Sequence, residues 1–119
     1  MDKWDLRART KAFSLCVVRL FQKLPQRTDA AVIGKQLLRC ATSVGANYRA
    51  ASIAKSKADF IAKIKICEEV ADECEYWLEL LEEAEILAPE DVSALKREGR
   101  ELANIFSASA KTARDRNPI

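Results

Sequence analysis

Residues Leu37 to Phe60 read "LLRCATSVGANYRAASIAKSKADF", a run in which small residues surround a few cations and a single glycine. It is either a phosphate-cradling loop or helical backbone, and the choice decides the fold. A phosphate loop needs several glycines or a terminal Gly-Lys-Ser/Thr so that successive backbone N–H groups converge on an anion. Here Leu37, Cys40, Val44, Tyr48 and Ala51 instead recur by threes and fours, which at about 100° per residue places them on one helical face. The stretch is therefore helical, and Ser56-Lys57-Ala58-Asp59 supplies a serine cap and an acid three residues on, where the next helix starts.

The same period extends in both directions. Helix 1 is expected over about 6–24, with Leu6, Thr10, Phe13, Val17, Leu20 and Leu24 inward and Pro25 ending it. Helix 2 is expected over about 30–54, capped by Thr28 or Asp29, with Ile33 joining its inner face. Helix 3, over about 57–86, carries two apolar seams. Phe60, Ile64, Cys67, Ala71, Cys74, Leu78 and Leu81 form one; Ile66, Val70, Trp77, Leu80, Ala84 and Leu87 form the other. Pro89 suits the first turn of helix 4, expected over about 89–112, with Val92, Leu95, Leu102, Phe106 and Ser109 spaced along it. The last residues, Arg114 to Ile119, lack periodicity and are expected to fray.

The chain has 119 residues, enough for one core, and only three Gly and three Pro, so turns are scarce. The expectation is one all-α domain, an antiparallel up-down-up-down four-helix bundle over 1–119. The second seam of helix 3 exceeds what one subunit's core requires. Ile66, Val70, Trp77 and Leu80 are accordingly the expected oligomer interface.

No enzyme is expected. The sequence has no His, no Walker motif and no G-x-S-x-G, which removes a Ser-His-Asp arrangement and the His-bearing ligand sets of di-iron bundles. Cys16, Cys40, Cys67 and Cys74 form no C-x-x-C pair and are expected as buried free thiols, so no metal, cofactor or small-molecule substrate is inferred. The start of the chain lacks a signal-peptide pattern and no apolar run is long enough to span a membrane, so a cytoplasmic protein without membrane contact is expected.

The net charge of +2 conceals strong segregation. Residues 1–57 hold 12 Lys and Arg against three acids, whereas residues 58–91 hold two Lys against 12 acids. Polyanion binding by the front half is one consequence; docking of acidic on basic segments within or between subunits is the other. The acids of helix 3, Glu68 to Glu83, read best as a solvated face. Lys35, Arg39 and Arg49 align on the outer side of helix 2, with Lys55 and Lys57 at the joint, and small residues between them leave room for a phosphate backbone. These five are the candidate nucleic-acid-binding residues of a basic face of helices 1 and 2, with RNA or DNA as a partner bound without strong sequence specificity; a protein-interaction scaffold with no nucleic-acid role is the alternative.

Arg39 to Asn47 and Ser56-Lys57-Ala58-Asp59-Phe60, together with Ala71-Asp72-Glu73 and Tyr76 to Leu81, resemble a bacterial four-helix-bundle family. It includes the proteins encoded within intervening sequences of 23S ribosomal RNA genes, the S23 ribosomal protein homologues, and is related to the accessory variability determinant proteins of diversity-generating retroelements. The resemblance spans about residues 4–110. It implies a cytosolic homopentameric ring without enzymatic activity, related to pentamers that bind nucleic acid and a reverse transcriptase. Gly45 stands where the family has Pro, and Tyr48-Arg49-Ala50 replaces its Ile-Ala-Glu.

Overall fold

A computed structural model describes residues 2–116, which form four helices: α1 (Lys3–Gln22), α2 (Thr28–Ala51), α3 (Lys57–Glu83) and α4 (Pro89–Asp115). They build an up-down-up-down bundle in which α1 lies chiefly on α2, α2 on α3 and α3 on α4, while α1 and α4 meet more sparingly. Among the described residues there is no strand.

The inner faces follow the hydrophobic period. Leu6, Thr10, Phe13 and Val17 of α1 are buried, and Leu20 and Leu24 pack at the edge of the core. Leu37, Cys40, Val44, Tyr48 and Ala51 are buried in α2, as are Ile64, Cys67, Ala71, Cys74, Leu78 and Leu81 in α3. Val92, Leu102 and Phe106 complete the core from α4, where Phe106 stacks on Tyr48 with ring centroids 6.0 Å apart. Tyr48 is thereby a core residue and offers nothing to a ligand. Thr10, the one buried polar residue of the described core, donates its hydroxyl to the Arg7 carbonyl, so its burial leaves no orphan group.

Helix ends depart from expectation where a local side chain takes over an unpaired backbone group. α1 begins three residues early because the Asp2 carboxylate accepts from the Trp4 and Asp5 amides. At α2, Arg27 occupies the cap position without a side-chain bond to the helix's open amides. Neither Thr28 nor Asp29 caps this helix; both lie inside its first turn, where the Asp29 carboxylate accepts from the Ala30 amide and pairs with Arg27. α2 stops at Ala51 rather than 54, since the chain tightens there: Ile53 and Ala54 bond carbonyls three residues back, and the Ser52 hydroxyl takes the Arg49 carbonyl. Ser56 then caps α3 as expected, accepting from the Asp59 amide at 3.0 Å.

α3 ends three residues short of its expected bound in a Schellman turn. The Ile86 amide reaches the Leu81 carbonyl and the Glu85 amide the Glu82 carbonyl, with Glu85 at φ 60°. At the far end, α4 continues to Asp115 instead of fraying from Arg114. The Lys57 ammonium donates to the Arg116 carbonyl at 2.7 Å and lies 3.4 Å from that of Arg114, answering carbonyls that the helix leaves open. Residues 117–119, also expected to fray, lie outside the described residues.

Cys40, Cys67 and Cys74 are buried thiols, but Cys16 faces solvent. Its neighbour Val17 holds the inward position on α1, which turns Cys16 outward by the helical period. Among the described residues, no helix is long and apolar enough to cross a membrane and no cluster of three or more metal-ligating side chains occurs.

Candidate functional site

Close approach of α1 and α2 creates the site. A Cβ built on Gly45 would stand 2.9 Å from Ser14 Oγ, inside contact distance, but 3.5 Å or more from the backbone of α1, so glycine makes room here for the serine hydroxyl between the helices. The Ser14 hydroxyl donates to the Ala41 carbonyl across the interface at 2.6 Å and lies 3.1 Å from the Thr10 carbonyl of its own helix. The glycine that breaks no helix here serves as a seat for α1.

Outside this contact the two helices leave an open groove of about 440 Å³. Its walls are Ala8, Ser14, Thr42, Gly45 and Ala46, and its cations are Arg7 and Lys11 from α1 and Arg49 from α2. No acid lines it, and none of these three cations is within ion-pair distance of a carboxylate of the described residues. At the groove's end the Arg7 guanidinium lies 4.8 Å from the ring centroid of Trp4, a cation–π contact shared with Lys3 at 5.3 Å.

The five cations singled out from the sequence do not form one surface. Arg49 lies in the groove; Lys35 and Lys55 are exposed and unpaired among the described residues. Arg39 is turned toward α3, donating to Glu73 Oε2 at 2.5 Å and to Gln36, with Cys40 Sγ 3.4 Å away. Lys57 is bound to the end of α4. Helix 1 is expected to contribute to the basic face, but Arg7, Lys11 and Ser14 are not singled out in the sequence, although their i, i+4, i+7 spacing on the outer side of α1 is the signal that joins them.

Half of the α3 acids from Glu68 to Glu83 are answered within the subunit. Glu73 faces Arg39, Arg100 of α4 pairs with both Asp72 and Glu75, and Lys96 pairs with Glu82 at 3.4 Å. Hydrogen bonds from the Cys40 thiol and the Trp77 indole, with Arg39 beside them, hold the Glu73 carboxyl below the usual carboxylate range. Arg9 of α1 spans to α4, with its guanidinium on both oxygens of Glu98 at 2.7 and 2.8 Å and on Glu101 at 3.0 Å, which raises its already high pKa.

Of the second seam, Ile66 is exposed while Val70, Trp77 and Leu80 are half-buried; Val70 and Trp77 also pack on the subunit's own core. Tyr76 stands exposed beside it, edge-on to Trp77 with centroids 4.9 Å apart.

Residues 3–108 match the family model of the 23S rRNA-intervening sequence protein. The chain is also similar to a solved structure, that of a protein with unknown function from the S23 ribosomal protein family of Bacteroides thetaiotaomicron VPI-5482. The two are 35% identical, the match covers 94% of this chain and 100% of that one, and the TM-score is 0.87. A search of curated proteins finds no match.

Proposed function

The chain belongs to the 23S rRNA-intervening sequence protein family, and from that membership we propose a non-enzymatic, homo-oligomeric bundle that binds nucleic acid along the α1–α2 groove. One observation carries this reading: Arg7, Lys11 and Arg49 converge on an open, small-walled groove with no acid lining it, whereas Arg9, Arg39 and Arg100 are spent on ion pairs inside the subunit. Unpaired cations keep their charge available to phosphates, and such contacts carry affinity rather than base sequence.

Three cations bind weakly alone. A pentameric ring, the assembly implied by the resemblance, multiplies them through avidity, and the exposed part of the α3 seam around Ile66 is the surface that would join the copies. The cytosol is the compartment in which this role fits.

Filter-binding titrations of labelled RNA at several salt concentrations test the proposal. Three phosphate contacts on a single strand predict that log K falls against log salt with a slope of about −2. Replacing Arg7, Lys11 and Arg49 together by Gln should weaken binding across all sequences, and Arg39→Gln should weaken it less. Absence of binding at low salt, or binding indifferent to salt, rejects the proposal; light scattering that reports a stable monomer rejects the ring.

A second reading has its own observation. Glu68, Glu69, Glu79 and Glu83 have no ion-pair partner among the described residues, and they flank Ile66 and Tyr76 on α3. They suit a protein-interaction scaffold in which this acidic side docks on a basic face of a second copy. Charge reversal at these acids would then break the oligomer, while under the first reading it leaves nucleic-acid binding in place.

A further inference from the structure

We infer that the groove takes a single strand rather than a duplex, with Trp4 as the platform on which an unpaired base stacks while Arg7 and Lys11 hold its phosphates. This rests on the nucleic-acid reading above and adds the class of ligand and a residue that reading does not use.

Trp4 is 61% exposed, an unusual state for the largest apolar side chain. Its position is nonetheless defined. The Trp4 amide is tied to the Asp2 carboxylate at 2.9 Å, which fixes the first turn of α1. The Arg7 guanidinium lies 4.8 Å and the Lys3 ammonium 5.3 Å from its ring centroid, and Arg7 is also a wall of the groove; a stacking base takes the place of the flexible Lys3 ammonium on the ring while Arg7 stays. A guanidinium over an indole ring can still present N–H groups to a phosphate. Arg7 thus joins an exposed aromatic surface to a phosphate-binding groove without a gap between them.

That combination selects for strandedness. In a duplex each base face is covered by its neighbours, so an exposed indole gains nothing from double-stranded nucleic acid. An unpaired base has a free π-face, and stacking it on an aromatic side chain tolerates any sequence. The small walls at Ala8, Thr42 and Ala46 let a flexible backbone settle against the helices, whereas a duplex touches the groove only through its outer phosphates.

The test measures binding of wild-type protein, Trp4→Ala and Trp4→Phe to oligouridylate, to oligothymidylate and to a duplex of equal length at one low salt concentration. Tryptophan emission is followed in wild type and in Trp4→Phe, which retains Trp77. Expected for Trp4→Ala is a loss of about tenfold in affinity for the single strands, with duplex affinity and salt slope unchanged. Trp4→Phe should keep most of the affinity, and single strands should quench emission in wild type but not in Trp4→Phe. Equal effects of Trp4→Ala on single strand and duplex, or no effect on either, overturn the inference while the groove stands, provided that removing Arg7, Lys11 and Arg49 still abolishes binding. If wild-type protein binds none of the three probes, the nucleic-acid reading itself falls.

Discussion

Gly45 lies against Ser14 so closely that a methyl group on the glycine would fall 2.9 Å from the serine hydroxyl oxygen. Alanine at a mid-helix glycine ordinarily stabilises by roughly 1 kcal/mol. Here the added carbon displaces the hydroxyl from the Ala41 carbonyl and crowds the helix contact, effects of about 1 kcal/mol and about 1–3 kcal/mol respectively. Gly45→Ala should therefore destabilise the protein by about 1–3 kcal/mol in urea unfolding. In a Ser14→Ala background, where the oxygen is gone and the next atoms are 3.5 Å or more from the new methyl, the same substitution should become stabilising. A cost that is equal in both backgrounds would separate Gly45 from Ser14.

Glu85 ends α3 in the left-handed region at φ 60°, with the Ile86 and Glu85 amides making both bonds of a Schellman turn. A side chain with a Cβ costs about 1 kcal/mol there, and Glu85 is exposed and engaged in no ion pair among the described residues. Glu85→Gly should raise stability by about 1 kcal/mol; an unchanged or lowered thermal midpoint would count against this account of the turn.

Arg9 is the polar clamp between α1 and α4, forked onto Glu98 and reaching Glu101. Because both partners are partly exposed, solvent screening holds its value to about 1 kcal/mol. Arg9→Leu should cost that amount at low salt and less at high salt. Arg9→Lys should not restore it, since an ammonium presents no planar fork to two carboxylate oxygens.

Stability should fall at both ends of the pH scale. Asp29 beside Arg27, Asp59 beside Lys63 and Glu73 beside Cys40 and Trp77 all have lowered pKa values in the fold. A lowered folded pKa means that the unfolded chain binds protons first, so their stabilisation is present above about pH 4.5 and is lost as the pH falls through the folded values. Burial pushes the Cys67 thiol up to about 12; the Cys74 thiol is raised by its hydrogen bond with Cys40 and by burial, and Tyr48 by burial. These groups stabilise below their ordinary values of 9.0 for Cys and 10.0 for Tyr, and that stabilisation is lost as the pH rises beyond. Cys67 and Cys74 each steepen the alkaline decline by about 1.4 kcal/mol per pH unit. Unfolding free energies from acid to alkaline pH should show both limbs, and Cys67→Ala should flatten the alkaline one whatever it does to stability at neutral pH.

Ile64, Cys67, Ala71, Cys74, Leu78 and Leu81 were legible as a core seam because burial along a helix repeats every three to four residues and needs no knowledge of the partner. The Ser56 cap was legible for a similar reason, its bond closing within three residues. The early start of α1 at Lys3 was not, although the Asp2 cap that causes it is equally local. Its first apolar inward residue, Leu6, comes a turn later than the helix itself, and periodicity marks the former.

Sequence alone determined four helices, their inward faces and the segregation of charge along the chain, since all three depend on spacing and composition within a segment. Tertiary structure decided which charges remain free. Arg39 meets Glu73 from 34 residues away, and Lys57 reaches the Arg116 carbonyl across 59. Arg7 and Lys11 join Arg49 because α1 packs on α2, with the Ser14 hydroxyl fitted over Gly45. Coulomb interactions act over a few ångströms of space regardless of position in the chain, so the same cations that look alike in sequence divide into clamps, caps and an open groove only once the helices are packed.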